Sequence, residues 1–465
     1  MRIKVLLTIL YVFMFNIIYA QNGIDYISRE DLNKEFDFLV EAIKNTHPNP
    51  YQTISEKEFV QQTVTIKESF KDSLTTKEYY RVIAPFVASL NDGHTRLAFP
   101  GRKLLHSEDN LFPYIIKASI DSPFLKVTEN IDNEFVQIPV GAEILKIGGI
   151  SSEQIIQKII DNTSGESKEY RLKMGADFNM FAFVFGTFYD LEEQVYVDYI
   201  YEGESISKKV PTVTLQRLMN IAKNRKADPV SSIAITNYTL SLIPEKSTAI
   251  LDIRYLGEKK EFEQFLKESF KTINEAKIKK IVIDIRENGG GNSLLGDELL
   301  KYLSPTPFRQ FDRTVVKYSQ LQKEIYANRC QNNQQNCDLY NYINTKQNGE
   351  LEILTVKDLV IPHLAEDRFQ GKVYLLTSRR TFSSAMNLAQ AFKYYKLGEI
   401  VGEETGGYLV SFGDLISINL PVTNWNFAIS TKKFYTVGSK ETDSHGVVPD
   451  IRINAINALD YAKKN

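Results

Sequence analysis

The sequence predicts an α/β protein of more than one domain. Three observations support this. From residue 235 onward, apolar runs of strand length alternate with amphipathic runs of helix length, the pattern of a layered domain with a largely parallel sheet. Residues 110–212 instead carry short β-like runs, and residues 24–100 read as mostly helical. The 465-residue length favours two or three domains.

The chain begins with Arg2 and Lys4, an apolar run from Val5 to Ile18, and then Tyr19-Ala20-Gln21. A charged start, an apolar core and a small residue at the end predict a cleaved signal peptide over residues 1–20. Asn16 interrupts the run, which is short against the ~20 residues of a membrane span. The alternative is a retained N-terminal anchor. The absence of a cysteine near the cut argues against a lipid anchor. Export to a periplasm or to the extracellular space is the expectation.

A formal net charge of −2 leaves no basic footprint for nucleic acid and no reason to expect an anionic membrane surface. Apolar residues at 43% and charged residues at 25% are ordinary for a globular chain with real cores. No metal or organic cofactor is called for. The cysteines, Cys330 and Cys337, lie in RCQNNQQNC and can close a small loop in an oxidising compartment. No second Cys or His pair accompanies them, which makes zinc a poor alternative.

Residues 21–105 form the expected N-terminal helical region. Ser28 can cap a helix, with Asp31 three positions on and Leu32, Phe36, Leu39, Val40 and Ile43 at helical spacing. The prolines of HPNPY, residues 47–51, end it. A second helical pattern from Thr76 to Leu90 leads into NDGHTRL, residues 91–97. Residues 106–215 contain YIIKAS, FLKVTE and QVYVDYIY. Within them, Gly141-Ala142 precedes a strand from Ile144 to Ile147, Gly148-Gly149 makes a turn, and Ser151 or Ser152 caps a helix. This order resembles the core of a PDZ-like domain, a module that takes an extended peptide at a sheet edge.

In residues 235–465, STAILDIRYL, KKIVIDIRENGGG and KVYLLTS read as strands; EFEQFLKESFKTINEAK, LLGDELLKYL and SAMNLAQAFKYY read as helices. Residues 305–370 read as a polar, irregular insertion holding both cysteines.

Candidate chemistry gathers in four segments. Ser384 sits where a strand gives way to a helix, the edge at which open α/β sheets bind ligands. A helix N-terminus there supplies unpaired N–H groups and partial positive charge, which favour an oxyanion. The plain alternative is that Ser384, or Ser383 beside it, only caps the helix. The strand of IDIRENGGG ends in three glycines whose N–H groups can face a ligand without side-chain interference; no Gly-Lys-Ser/Thr follows to make a phosphate loop. His94 lies in an Asp-Gly turn and can serve a serine as base, although lone histidines are commonly structural. Asp443, in DSHGVVPDI, can orient an imidazole, as a triad acid does, or simply face solvent.

Together, LNDGHT, GAEILKIGG, VIDIRENGGG, TFSSAMNLAQAF, VGEETGG and GVVPDI occur in the order found in C-terminal processing (tail-specific) serine peptidases. The chain resembles most the branch containing the tricorn protease core and interphotoreceptor retinoid-binding protein. The resemblance covers most of residues 85–452. It implies a crotonase-like (ClpP-like) α/β peptidase core over residues 235–465. It implies Ser384 as nucleophile, because the family's serine precedes an alanine, and the amides of Gly290 and Ala385 as oxyanion donors. Tyr408 in TGGY stands where many relatives have a lysine base, so His94 is the implied base and Asp443 its acidic partner. That acid is commonly glutamate in the branch, and Gly93 replaces a serine before the histidine. A polypeptide substrate and an acyl-enzyme follow. Alternatives are a non-catalytic peptide- or ligand-binding protein on the same scaffold, and an esterase, which lacks its G-x-S-x-G elbow.

Overall fold

The computed structural model describes residues 26–131, 137–176, 180–226, 237–332 and 337–465; the expected signal peptide lies outside them. The chain divides into two compact units. One comprises the described residues of 1–44, 50–235 and 417–428, and the other those of 45–49, 236–416 and 429–465. Among the described residues no helix is long and apolar enough to cross a membrane.

In the first unit, helices α1 (Arg29–Thr46), α2 (Glu56–Ser69) and α3 (Thr76–Ala88) start where the sequence supplies caps. Ser28 Oγ accepts the Asp31 N–H at 3.2 Å, and Ser55/Glu58 and Thr75/Glu78 form reciprocal capping boxes. Phe36 of α1 meets Phe70 and Phe86 edge-on at 5.9 and 5.3 Å. Residues 417–428 close over this helical layer: Trp425 stacks on Tyr79 at 5.8 Å. The fully buried Glu35 carboxylate accepts the N–H groups of Val422 and Thr423 at 2.6 and 2.7 Å and the Thr423 hydroxyl at 2.8 Å. Burial outweighs these bonds and raises its pKa.

The same unit holds an antiparallel sheet of β1 (Tyr114–Lys117), β2 (Leu125–Asn130), β3 (Glu143–Ile147), β4 (Gln194–Tyr201) and β5 (Glu204–Pro211), in the order β5–β4–β3–β2–β1. Gly148 and Gly149 both take positive φ at the turn after β3. Ser151, rather than Ser152, caps α4 (Ser152–Asn162), with Gln154 completing the box. The helix buries Ile155, Ile156, Ile159 and Ile160 with the sheet's apolar face. Helices α5 (Lys168–Ala176) and α6 (Met180–Phe188) complete this core.

The second unit is built on a sheet of β6 (Tyr238–Ile243), β7 (Thr248–Ile253), β8 (Lys280–Asp284), β11 (Lys372–Thr377), β12 (Glu399–Gly402) and β15 (Ile451–Arg452), in that order. Only the β6–β7 pair is antiparallel; the rest run parallel. Ile281 and Ile283 of β8 pack with α7 (Lys259–Glu275), α8 (Ser293–Lys301) and α11 (Ser384–Tyr394), while Val282 joins Ala458 and Ala462 of α12 (Ala455–Lys464). Helices on both faces explain why Ile281, Val282 and Ile283 are apolar in succession instead of alternating.

The reading of residues 305–370 as irregular is corrected. They contain β9 (Phe311–Lys317), α9 (Gln320–Asn332), α10 (Cys337–Asn344) and β10 (Leu351–Thr355). Strands β9 and β10 join β13 (Val410–Asn419) and β14 (Asn426–Thr436) in a second sheet ordered β10–β9–β14–β13. Cys330 and Cys337 are bonded to each other.

Candidate functional site

The serine candidates lie in a corner of the second unit made almost wholly of backbone. Strand β8 ends at Asp284, whose carboxylate grips Arg286 through Nε at 2.8 Å and Nη2 at 2.6 Å. The buried Asn288 then organises the glycines. Its Nδ2 donates to the Ile253 carbonyl at 3.1 Å, its Oδ1 accepts the Gly290 N–H at 2.8 Å, and its carbonyl accepts the Phe382 N–H at 3.1 Å. Thr381 Oγ1 donates to the Ile285 carbonyl at 2.9 Å and accepts the Ser378 N–H at 3.0 Å, tying the turn after β11 to the end of β8.

Gly290 has φ +111°, and a Cβ there would stand 2.7 Å from the Ser383 Cβ and 3.1 Å from the Ser384 nitrogen. Only glycine permits this approach. Ser383 has φ 50° and ψ −127°, which a residue with a side chain seldom adopts. It occupies the N-cap position of α11 yet makes no capping side-chain bond, so the plain capping role fails for it. Ser384 is buried, and its hydroxyl donates to the Gly291 carbonyl at 2.6 Å. The Ala385 N–H donates to the Phe382 carbonyl at 3.1 Å. Ser384, Ala385 and Gly290 are thus one cluster, but both amides expected to hold an oxyanion already have protein partners. The Ser384 N–H, at the first position of α11, is one of the donors that a helix start leaves without an intrahelical acceptor.

Asp443 belongs to the same unit. Its Oδ2 accepts the Lys440 N–H at 2.8 Å, and its Oδ1 lies 4.0 Å from His445 Nε2, beyond hydrogen-bond reach. His445 is half exposed and places Nδ1 2.7 Å from the Gly446 carbonyl oxygen. The GEETGG turn anchors this loop: Glu404 Oε1 accepts the Gly446 N–H at 2.9 Å and Thr405 Oγ1 accepts the Val447 N–H at 2.7 Å.

His94 belongs to the first unit. Asn91, at φ +53°, turns the chain after α3, and the fully buried Asp92 accepts the His94 backbone N–H at 2.8 Å. The same carboxylate oxygen lies 3.8 Å from His94 Nδ1. The imidazole side chain is 12% exposed. Glu166, between α4 and α5, brings a second carboxylate to this turn: ligand-capable atoms of Asp92, His94 and Glu166 all lie within 4.8 Å of one another. Burial, with the Asp92 charge second, pushes the Glu166 pKa well above the usual carboxylate range. The sequence reading missed Asp92 and Glu166 as neighbours of His94. Asp92 was visible in the DGH turn; Glu166 had no local signal.

Residues 247–453 match the model of peptidase family S41. No curated protein sequence matches the chain. Among solved structures, mature CPAF in complex with lactacystin is similar, at TM-score 0.65 and 14% identity over 94% of this chain and 97% of that one. Mature CPAF gives TM-score 0.64 at 14% identity over 94% and 96%. These likenesses are of fold. A photosystem II D1 C-terminal processing protease is more distant, at TM-score 0.43 and 14% identity over 93% and 96%. The glycine-lined serine corner lies inside the matched segment, and the chain carries a domain of peptidase family S41, a family of serine peptidases.

Proposed function

We propose that this chain is an exported serine peptidase that cleaves polypeptides near their C-termini through an acyl-enzyme. The observation that carries this reading is the strained backbone of Ser383, pressed against Gly290 at the mouth of α11. Strain of this kind in a non-glycine residue at a strand-to-helix turn is a known way of presenting a nucleophile.

The resemblance nominates Ser384 as that nucleophile. The geometry favours its neighbour: the Ser384 hydroxyl is buried and committed to the Gly291 carbonyl, whereas Ser383 is only half-buried. In this reading the Ser383 hydroxyl attacks the peptide carbonyl while His94 takes its proton. The Ser384 N–H replaces Ala385 as one donor to the oxyanion, beside the glycine run that includes Gly290. Protonated His94 then gives its proton to the leaving amine, and water hydrolyses the ester by the reverse path. Asp443 is the acid that the resemblance supplies for His94; Asp92 and Glu166 are the acids beside it in its own unit.

The finer features of the reading have separate support. The parallel sheet with the serine pair beyond the carboxyl end of β11 agrees with a crotonase-like core. The six-strand antiparallel sheet with the capped helix α4 agrees with a PDZ-like module, whose edge strands can take a substrate's extended tail. The Cys330–Cys337 disulfide suits an oxidising compartment, in line with export.

A fluorophosphonate probe followed by peptide mapping tests the chemistry. An adduct on Ser383 of the native chain is expected, absent after heat unfolding. An adduct on Ser384 restores the assignment made from the Ser-Ala pair. No adduct on either, in a folded chain, favours a non-catalytic peptide-binding protein. The partnered amides of Gly290 and Ala385 are the observation on that side.

A further inference from the structure

We infer that residues 351–361 are a homodimerisation edge, at which β10 and the chain beyond it pair antiparallel with the same segment of a second copy about a two-fold axis at Val356. Strand β10 is the outer strand of the sheet β10–β9–β14–β13. Its register sets Leu351 opposite Lys317 and Thr355 opposite Arg313. The same register holds on both sides of the strand. The Tyr318 N–H donates to the Glu350 carbonyl at 3.0 Å and the Val356 N–H to the Asp312 carbonyl at 3.0 Å. Val360 exchanges both bonds with Phe308, at 2.7 and 3.1 Å. Even-numbered residues thus direct main-chain bonds inward. Antiparallel ladders alternate, so the odd-numbered residues turn their N–H and C=O groups outward, a template for another strand.

Apolar side chains line this edge. Among the described residues twenty large apolar side chains are exposed, and eight of them lie in residues 339–364, so they form one patch instead of a scatter. Leu351, Ile353, Leu359 and Ile361, all odd-numbered, are 45–68% exposed. Helix α10 flanks the edge, because the Tyr342 hydroxyl donates to Glu352 at 2.7 Å, and it adds the exposed Leu339.

Self-complementarity selects the occupant. A two-fold axis at Val356 sets Leu351 opposite Ile361 and Ile353 opposite Leu359, twice over, with Lys357 opposite the Thr355 hydroxyl. An axis at Leu354, Thr355 or Lys357 opposes like charges directly: Glu350 with Asp358, Glu352 with Asp358, or Lys357 with its own copy. An axis at Ile353 leaves Leu359 and Ile361 without an apolar partner. An unrelated peptide gains nothing from such a palindrome. The edge is about 37 Å long at ~3.4 Å per residue. With the sheet ~10 Å thick and α10 another ~10 Å beside it, each copy contributes on the order of 700 Å², near the ~800 Å² per partner of a stable interface.

Sedimentation velocity on the full chain tests the surface, and a dimer is expected at micromolar concentration. Ile353→Lys, at a position already 65% exposed, should raise the dissociation constant by roughly 100-fold or more, because symmetry counts each substitution twice. Thr355→Pro should also weaken the dimer by deleting an outward N–H, a change that an edge strand tolerates without unfolding. Val60→Lys, on an exposed face of α2, should leave the dimer intact. Val356→Cys tests the register, since a non-hydrogen-bonded antiparallel pair sets its Cα atoms ~4.5 Å apart, within disulfide range. This variant should cross-link copy to copy on mild oxidation, and Ile353→Cys should not. A chain that stays monomeric, even one that accepts an unrelated extended peptide, overturns the homodimer. So does a dimer unchanged by both Ile353→Lys and Thr355→Pro. Cross-linking of Ile353→Cys and not of Val356→Cys overturns the pairing about Val356.

Discussion

The serine corner and the histidine turn solve positioning in opposite ways. The corner holds Ser383 and Ser384 with main-chain groups: Asn288 bridges the Ile253 carbonyl, the Gly290 amide and the Phe382 amide, and Gly290 gives way to let Ser383 close in. The turn holds His94 beside two acidic side chains, Asp92 and Glu166. Backbone contacts cannot be titrated or easily exchanged, so the corner is fixed at every pH. The turn depends on ionisable side chains, which a change of pH can reach.

Four measurements sharpen or break this contrast. The largest effect is expected from Ser383→Ala, with a loss in kcat/KM on the order of 10⁴-fold or more; Ser384→Ala should fall far less, and the reverse order would return the nucleophile to Ser384. His94→Ala should lower kcat by roughly 10²- to 10⁴-fold, the span of general-base catalysis, without changing the denaturant midpoint of the second unit.

Gly290→Ala sets a Cβ 2.7 Å from the Ser383 Cβ at φ +111°. Strain of about 1–3 kcal/mol is expected, with lost probe labelling in a chain whose far-UV spectrum is unchanged. Wild-type labelling in this variant would show that the corner is not rigid.

The smallest effect concerns Glu35, whose buried carboxyl has a raised pKa. Because the native state holds this proton more tightly than the unfolded chain, the group's contribution is complete below its ordinary value of 4.5 and declines as pH rises through the raised one. The stability of the wild type relative to Glu35→Gln should therefore be greatest in acid and fall toward neutrality, as read by urea midpoints. A gap that widens with pH would show that the bonds from Val422 and Thr423 outweigh burial.

Much of the second unit was legible because its strands are covered on both faces. A run such as Ile281 to Ile285, ending in glycines, has few other readings. The turns at Gly148-Gly149 and the caps at Ser28 and Ser151 were legible for local reasons. The inserted sheet was not. Strand β10 leaves Leu351 and Ile353 more than half exposed, and α9 spreads its apolar residues without a clear face, so neither gives a periodic signal. At the site, the resemblance chose Ser384 from the Ser-Ser pair, whereas the proposal for Ser383 turns on a φ angle that no local sequence pattern encodes. Glu166 was illegible for a related reason: an acid flanked by Gly165 and Ser167 reads as an exposed loop, and only the folded chain seals it.

Residues 417–428 are grouped with the first unit although the chain on either side of them belongs to the second. A fragment begun at residue 236 would carry Trp425 without Tyr79 to stack on, and Val422 and Thr423 without the acid that receives their amides. Its complement would expose an aromatic layer and bury an unanswered carboxylate. Cutting this chain at residue 236 should therefore yield two fragments of low solubility.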